Sequence, residues 1–412
     1  MKRIGQAAAV AVTGAVLAAC GGGPGGGGGK ISDDKVVLAV LNDQSAIYAD
    51  LSGKASIESV KMAVADYKAK YGDKAAAKEI EVVTADHQNK PDVANSKAQE
   101  LYDRQRADII LDVPNSAAAL AVANVAKSKK KVFMNIGAAT TALEGASCNK
   151  YTFHYGYNTY MLAQGTGDAV TKDGGKNWYL VYPDYAFGQD MQKSFTSAIT
   201  KAGGKIVKAD PTPFPNDNFS TFLLKAPGLS PKPQVLGAMQ AGGDLVNLVK
   251  QYNEYKLKDK GIDLAVGLMF ITDIHSLGSD ALAGTKFSEA WFWNANPENR
   301  AWADKFQAKT NKRPSFAHAA NYSAATQYLE ALQRGGTDNA DEIVKNLEGQ
   351  KVNDVFAKNG TIRAQDHLLL HDAYLAEVKP ASEVKEPWDY EKILKTIPAD
   401  QAFQPANPAC KF

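Results

Sequence analysis

The strongest constraint on the fold is a repeated alternation of short apolar runs with longer segments that are apolar on one face only. Residues 36–41 are apolar throughout, which is typical of a parallel strand covered on both faces. Ile57, Val60 and Val64 then recur at helical spacing and predict an amphipathic helix over 53–70. The same order of strand and helix continues along the chain. Such a βαβ series predicts an α/β fold with a doubly wound parallel sheet.

Two such series follow each other, with a restart after residue 157. The predicted strands are 36–41, 80–84, 109–113, 131–136, 178–182, 205–208, 235–239 and 264–270, an edge strand at 290–293, and strand-like runs at 352–356 and 368–378. The predicted helices are 53–70, one that begins at 91, 116–127, 188–201, 244–255, 298–310, 316–334 and 338–348. A length of 412 residues suits two domains of ordinary size. The coarse duplication therefore predicts two α/β lobes of similar plan joined by hinges.

The N-terminal segment precedes this pattern and has the features of an export signal. It begins with Lys2 and Arg3, and its apolar run at 7–19 is too short to span a bilayer as a stable helix. The run closes on Cys20 with the letters LAAC, which resemble a bacterial lipobox, where the thiol is acylated and the chain is cut just before it. We predict a signal peptide over 1–19, and the alternative is an ordinary secretory signal with Cys20 as a bystander.

A glycine-rich stretch follows the predicted lipidation site, and it cannot bury a core. Residues 21–29 read GGGPGGGGG, which is typical of a flexible tether between a membrane and a domain. We assign residues 20–34 to the lipidated Cys20 and this tether. The sequence thus predicts a protein held at a membrane by its N-terminus.

Charge and cysteine content restrict the partners of the exported chain. The chain has 47 Lys and Arg against 45 Asp and Glu, a net charge of +2. It therefore lacks the excess of basic residues that is typical of proteins that bind nucleic acid. Cys148 and Cys410 remain after cleavage, and two cysteines in an oxidising compartment are expected to form a disulfide. Metal binding by two isolated thiols is the weaker rival.

Signals of enzymes and metal sites are missing from the sequence. It contains no Gly-x-Ser-x-Gly elbow, no phosphate-binding Gly-x4-Gly-Lys-Ser/Thr loop and no Cys-x2-Cys pair. His367 and His371 come nearest to a metal pair, but two histidines without a third ligand are typical of a polar strand face. We predict no cofactor, no metal and no catalysis, with a hydrolase on two α/β lobes as the enzymatic alternative.

Polar and small residues follow two successive strands where ligands gather in doubly wound sheets, beyond the carboxyl ends. Asn115 and Ser116 follow the third strand and open a helix, so an amide, a hydroxyl and free backbone N–H groups come together. Residues 137–141 follow the fourth strand, and Thr140 adds a second hydroxyl. Helix capping explains each signal alone, but together they predict a site for an anionic group.

The order of these motifs resembles that of type I periplasmic binding proteins of the leucine/isoleucine/valine-binding class, the substrate-binding components of ABC importers. The resemblance is carried by VVLAVLNDQSAIYADLSGKASIESVKMAVADY (36–67), LDVPNSAAALAVANVAKSKKKVFMNIGAATTALEG (111–145), NWYLVYPDYAFGQDMQKSF (177–195), RPSFAHAANYSAATQYLEALQRGGTDNADEIVKNLEG (313–349) and the closing KEPWDYEKILKTIPADQAFQP. It covers essentially all of residues 35–412.

The resemblance implies two Rossmann-like lobes with parallel sheets, joined by three hinge crossovers around a cleft that closes on its ligand. We expect the crossovers near 152–157, 294–298 and 350–355. Lobe 1 would comprise 35–155 and 298–350, lobe 2 would comprise 156–297 and 351–390, and residues 391–412 would form a C-terminal tail.

The resemblance also assigns ligand contacts. The family's anion-binding elements fall on Ser116, Ala138 and Thr140, with Asn115 beside them. The aromatic contacts fall on Tyr48 in the first lobe and on Tyr185 and Phe187 in the second. Asp273 matches the acid that holds the ammonium of amino-acid ligands, and Tyr322 is a wall residue of the first lobe, for which a place in the core is the alternative.

The function implied is capture of a small carboxylate-bearing solute, an amino acid or an aromatic or organic acid, by hinge closure. The protein would be a membrane-anchored periplasmic lipoprotein, a monomer without cofactors, that delivers its ligand to an ABC permease and its ATPase. A protein of the same fold that presents its ligand to a membrane receptor for sensing is the alternative.

Overall fold

A computed structural model describes residues 30–412 of the chain. The predicted signal peptide, Cys20 and residues 21–29 of the tether lie outside the described residues. None of the helices within 30–412 is both long and apolar enough to cross a membrane.

The first lobe is built on a five-stranded parallel sheet with the strand order β2-β1-β3-β4-β5. Its elements are β1 (Lys35–Asn42), α1 (Gly53–Tyr71), β2 (Glu79–Asp86), α2 (Pro91–Asp103), β3 (Ile109–Asp112), α3 (Ser116–Lys129), β4 (Val132–Asn135) and β5 (Thr152–His154). Alternate side chains of β1 enter two different cores, with Leu38 on one face and Ala39 on the other. The apolar run at 36–41 is therefore confirmed as a parallel strand that is covered on both faces.

The second lobe repeats this plan with a four-stranded parallel sheet in the order β7-β6-β8-β9. Its elements are α4 (Thr159–Lys172), β6 (Asn177–Pro183), α5 (Ala186–Lys201), β7 (Lys205–Thr212), α6 (Ser220–Lys225), β8 (Val235–Ala238), α7 (Gly242–Glu254), β9 (Asp263–Val266) and α8 (Ile271–Leu277). Central strand β6 again divides its side chains, with Leu180 and Tyr179 in different cores. Two parallel sheets with helices on both faces confirm the predicted α/β class.

The rest of the chain adds helices to the first lobe and two small antiparallel sheets, β10-β14-β15 and β11-β12-β13. The elements are β10 (Lys286–Glu289), α9 (Pro297–Thr310), α10 (Phe316–Gly335), α11 (Ala340–Leu347), β11 (Lys351–Val352), β12 (Gly360–Ile362), β13 (Leu369–Leu370), β14 (Ala373–Val378), β15 (Glu391–Ile397) and α12 (Ala399–Ala402). Helix α10 packs on α1, where Glu330 accepts hydrogen bonds from Lys70 and Tyr71. The segment 391–397, which the sequence analysis places in the tail, thus forms a sheet strand.

Several predicted elements are wrong, and side-chain packing explains why. The predicted edge strand at 290–293 is displaced to β10, because Trp291 and Trp293 turn inward and donate their indole N–H groups to the carbonyl oxygens of Val355 and Trp388. The predicted strand 264–270 ends at Val266. The strand-like run 352–356 contributes only its first residue to β11, and 368–378 is divided between β13 and β14.

Helix α4 is absent from the sequence prediction because two glycines weaken its helical signal. Gly165 is needed for close packing, because a Cβ there would overlap the hydroxyl of Ser288, whereas a Cβ at Gly167 would make an ordinary contact of 3.4 Å with the ring of Phe195. The Ser288 hydroxyl instead donates to the Leu162 carbonyl oxygen at 2.7 Å, which joins β10 to this helix.

The predicted disulfide between Cys148 and Cys410 is confirmed, with Cα atoms 5.5 Å apart. His367 and His371, the nearest approach to a metal pair, serve in packing. The His367 ring stacks on Phe153 at 4.2 Å, and the His371 ring bonds to the carbonyl oxygen of Gly156 at 2.6 Å. Residues 30–412 hold no group of three or more His, Cys, Asp or Glu side chains that could bind a metal ion.

Candidate functional site

A small cavity of about 10 Å³ lies where the carboxyl ends of the two parallel sheets face each other. It brings together five of the predicted site residues: Tyr48, Ser116, Ala138, Tyr185 and Phe187. Its other lining residues are Leu51, Pro114, Gly137, Ala139, Tyr157, Ala241 and Leu268. The walls are thus apolar and aromatic, apart from hydroxyl and backbone groups.

One wall of the cavity is the first turn of α3. Asn115 is the N-cap, whose Oδ1 accepts the N–H of Ala118 at 2.9 Å while its Nδ2 donates to Asn89 at 2.6 Å. The amide of Asn115 is therefore engaged in capping. The Ser116 hydroxyl is buried and has no hydrogen-bond partner within residues 30–412. A buried hydroxyl without a hydrogen bond lowers the stability of a protein by about 1–3 kcal/mol. Ser116 is therefore suited to bond to a polar group of a ligand.

The loop at 137–139 follows β4 and forms the adjoining wall. Its carbonyl oxygens are directed into the protein: that of Gly137 accepts the Tyr157 hydroxyl at 2.8 Å, and that of Ala139 accepts the N–H of Thr159 at 2.9 Å. The Ala138 oxygen accepts two hydrogen bonds, described below. The N–H groups of Gly137 and Ala138 are also engaged, since they donate to Asp112 O at 3.2 Å and to Asn135 Oδ1 at 3.3 Å, so within 137–139 it is the Ala139 N–H that can meet a group in the cavity. Such an arrangement favours an anion.

Thr140 closes the loop and begins the 3-10 turn Thr141–Glu144. Its Oγ1 accepts the N–H of Ala142 at 3.3 Å, so this hydroxyl caps the turn as well as lying beside the loop. The next residue, Thr141, is tied to the second lobe, because its N–H donates to the Asp190 carboxylate of α5 at 2.7 Å. The loop is therefore held from both lobes.

A tyrosine pair joins the two lobes across the cavity. The hydroxyls of Tyr48 and Tyr185 lie 2.6 Å apart, and burial raises the pKa of both, so both stay protonated. Phe214 stacks on the Tyr185 ring at 4.2 Å. On the other side of Tyr185 lies a groove of about 500 Å³, which also contacts Ile47 and Phe214. The pair thus separates the inner cavity from the mouth of the cleft.

Two glycines of the second lobe make this close contact possible. Gly242 begins α7 with φ of +58°, and a Cβ there would lie 2.6 Å from the Ile47 carbonyl oxygen and 3.0 Å from the Tyr48 ring. The N–H of Gly243 donates to the same Ile47 oxygen at 3.3 Å. These glycines are not among the predicted site residues, although a glycine pair directly before an amphipathic helix is a sequence signal for a close backbone approach.

Two predicted site residues lie elsewhere. Asp273 caps α8, since its Oδ2 accepts the N–H of Phe270 at 2.9 Å, and burial raises its pKa to about 7. Tyr322 lies between α10 and α1, where its hydroxyl donates to Asp66 at 2.7 Å. The structure brings neither side chain to the cavity wall. Tyr157, by contrast, lines the cavity from the predicted hinge region without having been a predicted contact.

Comparison with known proteins identifies the family. A family model described as periplasmic binding protein matches residues 35–383. The chain belongs to the periplasmic binding protein family. Members of this family are solute-binding proteins of ABC transporters rather than enzymes. The resemblance inferred from the sequence is thereby confirmed.

Individual relatives agree with this assignment. A crystal structure of a periplasmic binding protein from Burkholderia mallei is 44% identical with a TM-score of 0.86, and the match covers 92% of this chain and 98% of that one. A branched chain amino acid ABC transporter periplasmic ligand-binding protein from Burkholderia xenovorans is 34% identical with a TM-score of 0.79, covering 90% and 97%. The Leu/Ile/Val-binding protein homolog 6 of Brucella melitensis is 25% identical over 358 residues, or 85% of this chain and 89% of that protein.

The contact between Gly242 and the first lobe yields a testable prediction for closure. We expect Gly242→Ala to shift the protein toward an open form, because the added methyl group collides with Ile47 and an αL conformation costs a non-glycine residue about 1–2 kcal/mol. Small-angle X-ray scattering should give a larger radius of gyration than for the wild type. Gly228→Ala is the matched control, since a Cβ there meets nothing within 4 Å. Equal radii for all three proteins would contradict the prediction.

Proposed function

We propose that this protein captures a small carboxylate-bearing solute with an apolar body between its lobes and delivers it to an ABC importer. The observation that carries the proposal is the wall formed by the first turn of α3 and the loop at 137–139, which can offer the Ser116 hydroxyl and the Ala139 N–H as hydrogen-bond donors. The Ser116 hydroxyl has no partner within residues 30–412, and the carbonyl oxygens of 137–139 are already engaged as acceptors. A carboxylate accepts hydrogen bonds and cannot donate them, so it suits such a wall.

The remaining walls support an apolar or aromatic body for the ligand. Within residues 30–412, no carboxylate is among the side chains that line the cavity. The Asp244 carboxyl, which adds to the effect of burial in raising the pKa of Tyr48 and Tyr185, lies near the cavity but does not line it. An ammonium group would therefore meet no carboxylate on the wall itself, which favours an aromatic or branched aliphatic acid over an amino acid. The aromatic rings of Tyr157 and Phe187 offer flat surfaces against which such a body could pack.

Hinge closure is the mechanism that the cavity dimensions support. A space of about 10 Å³ holds roughly one water molecule, so a solute enters only when the lobes separate. Closing then replaces water by contacts from both lobes, and the ligand stabilises a closed form that the free protein already reaches. Delivery to a permease would follow from recognition of this closed form.

Isothermal titration with a small panel tests the proposal. We expect benzoate or 4-methylpentanoate to bind, and benzamide, which has the same ring without the charge, to bind at least tenfold more weakly. A loss of this size corresponds to about 1.4 kcal/mol, close to the lower limit of about 1.5 kcal/mol for one hydrogen bond to a charged group. L-Leucine is included because the Burkholderia xenovorans relative is named as a branched-chain amino acid binder. Tighter binding of L-leucine than of 4-methylpentanoate would overturn the preference for acids without an ammonium group. If no member of the panel binds, the proposal fails.

Mutation of the two hydroxyls tests the site itself. We expect Ser116→Ala with Thr140→Ala to weaken binding of the tightest panel acid by about 1–3 kcal/mol per lost charged hydrogen bond. Ser116→Ala alone should leave the free energy of unfolding unchanged or slightly raised, since the hydroxyl has no partner in the described chain. Ser128→Ala, an exposed serine at the far end of α3, serves as the control. Wild-type affinity in the double variant would remove both residues from the site.

We also propose that Cys20 anchors the protein to a membrane on the periplasmic side. The lipobox-like LAAC sequence and the glycine tether of residues 21–29 support this proposal. Cell fractionation should find the wild-type protein with the membranes and a Cys20→Ala variant in the soluble fraction or uncleaved. Metabolic labelling with palmitate should mark only the wild type. Identical fractionation and labelling of the two proteins would contradict the anchor.

A further inference from the structure

A buried pair of titratable side chains lies directly behind the loop at 137–139. His154 ends β5, and Glu144 ends the 3-10 turn that follows Thr140; both are 1% exposed. The Nδ1 of His154 lies 2.5 Å from Glu144 Oε2, and its Nε2 lies 2.9 Å from the carbonyl oxygen of Ala138. Neither side chain lines the cavity, but the residue that His154 holds does.

The two contacts of the ring determine its charge. A carboxylate oxygen and a carbonyl oxygen both accept hydrogen bonds, and a neutral imidazole can donate from only one nitrogen. Only the imidazolium form of His154 satisfies both. Burial alone would lower the pKa of His154, but the Glu144 carboxylate outweighs burial and holds this pKa above its ordinary value. Burial would likewise raise the pKa of Glu144, and the charge of His154 holds it low.

The C-terminal segment fixes the carboxylate. Glu144 Oε1 accepts hydrogen bonds from Asn158 Nδ2 at 2.8 Å and from Gln404 Nε2 at 2.9 Å. Gln404 is held in turn, because its carbonyl oxygen accepts from Arg363 at 2.9 Å. The disulfide at Cys410 attaches the end of the same segment close to Glu144 in the chain. The tail thus supports the ion pair from the side opposite to the cavity.

We infer that His154 is a positioning residue for anion binding, held as a buried cation by Glu144 and the C-terminal segment. Its N–H fixes the peptide between Ala138 and Ala139, whose carbonyl oxygen also accepts from Asn135 at 2.7 Å. Both lone pairs of that oxygen are then used, and the peptide can offer only the Ala139 N–H. A charge-assisted hydrogen bond at one end of a peptide strengthens the donor at its other end. This inference rests on the proposed binding of a carboxylate.

The charges around the ring predict how affinity depends on pH. Glu144 faces His154 from the 3-10 turn, and Asp190 faces it from α5, where Thr141 and Thr159 donate hydrogen bonds to that carboxylate. Both carboxylates favour the imidazolium. As the pH rises through the elevated pKa of His154, one of its two hydrogen bonds and its positive charge are lost. Affinity for a carboxylate ligand should therefore fall on the alkaline side.

The experiment compares wild type with Glu144→Gln, which keeps the shape of the side chain and removes its charge. Benzoate affinity is measured by titration between pH 5 and pH 9. The variant should bind roughly tenfold more weakly at neutral pH, a loss of about 1.4 kcal/mol, and its alkaline decline should begin at lower pH. Glu348→Gln is the matched control, because it breaks a second histidine–glutamate pair, His367–Glu348 at 3.0 Å, that does not touch the loop. A parallel profile for wild type and Glu144→Gln would overturn the inference.

A second measurement needs no ligand and separates this inference from the proposed function. Nitrogen-15 NMR of the wild-type histidines, with His154 assigned through His154→Gln, should show an imidazolium that persists above the ordinary histidine pKa of about 6.5. The Ala139 amide resonance should move as His154 loses its proton. The inference would be overturned if His154 were neutral at pH 6.5, or if the Ala139 amide resonance did not move as His154 loses its proton. Both outcomes can be observed even if Glu144→Gln does not fold. Failure of the wild type to bind any panel acid would overturn the proposed function and with it the binding role of His154, whereas the NMR measurement tests the charge of His154 and its link to Ala139 in either case.

Discussion

The whole site depends on burying parallel strands on both faces. Because β1 and β6 each send alternate side chains into two cores, helices must cover both sides of their sheets. The chain then returns to the same edge after every helix, and all the strand-to-helix loops of a lobe collect at the carboxyl edge. The first turn of each helix has backbone N–H groups without partners inside the helix. This edge of the sheet therefore offers hydrogen-bond donors whatever the side chains are.

The second lobe turns that edge into an enclosed site. It contributes mainly close packing. Gly242 lets the backbone of α7 approach Tyr48, and the Phe214 ring packs on both Tyr185 and Tyr48. The hydrogen bond between the hydroxyls of Tyr48 and Tyr185 thus forms the boundary between the inner cavity and the mouth of the cleft. The cavity behind this pair, of about 10 Å³, is too small for an organic acid, so the pair must separate before a solute reaches the wall formed by α3 and the loop at 137–139. Recognition and closure therefore involve different residues, which single substitutions can separate.

Buried charge behind the loop at 137–139 is costly unless it is paired and hydrogen-bonded. His154 and Glu144 meet this condition because every donor and acceptor around them is supplied by the protein, including Gln404 from the far end of the chain. Removing one partner would leave an uncompensated charge next to the loop. The C-terminal segment does not line the cavity, but it supplies Gln404 to this pair and is fastened by the Cys148–Cys410 disulfide.

Elements whose signal is local can be predicted from the amino-acid sequence. Strand β1, the cap of α3 and the Cys148–Cys410 pair belong to this group, because apolar periodicity and capping residues act over short stretches and the pairing follows from the number of cysteines. Helix α4 is not predicted, because the reason for Gly165 is its contact with Ser288, which is distant in sequence.

Which polar groups meet depends instead on the packing of distant segments. Asp273 caps its own helix α8, the Tyr322 hydroxyl donates to Asp66, and His154 pairs with the carboxylate of Glu144. The direction of a side chain depends on which neighbour satisfies its hydrogen bonds at least cost, and that neighbour is set by packing between segments rather than by the residues alongside it.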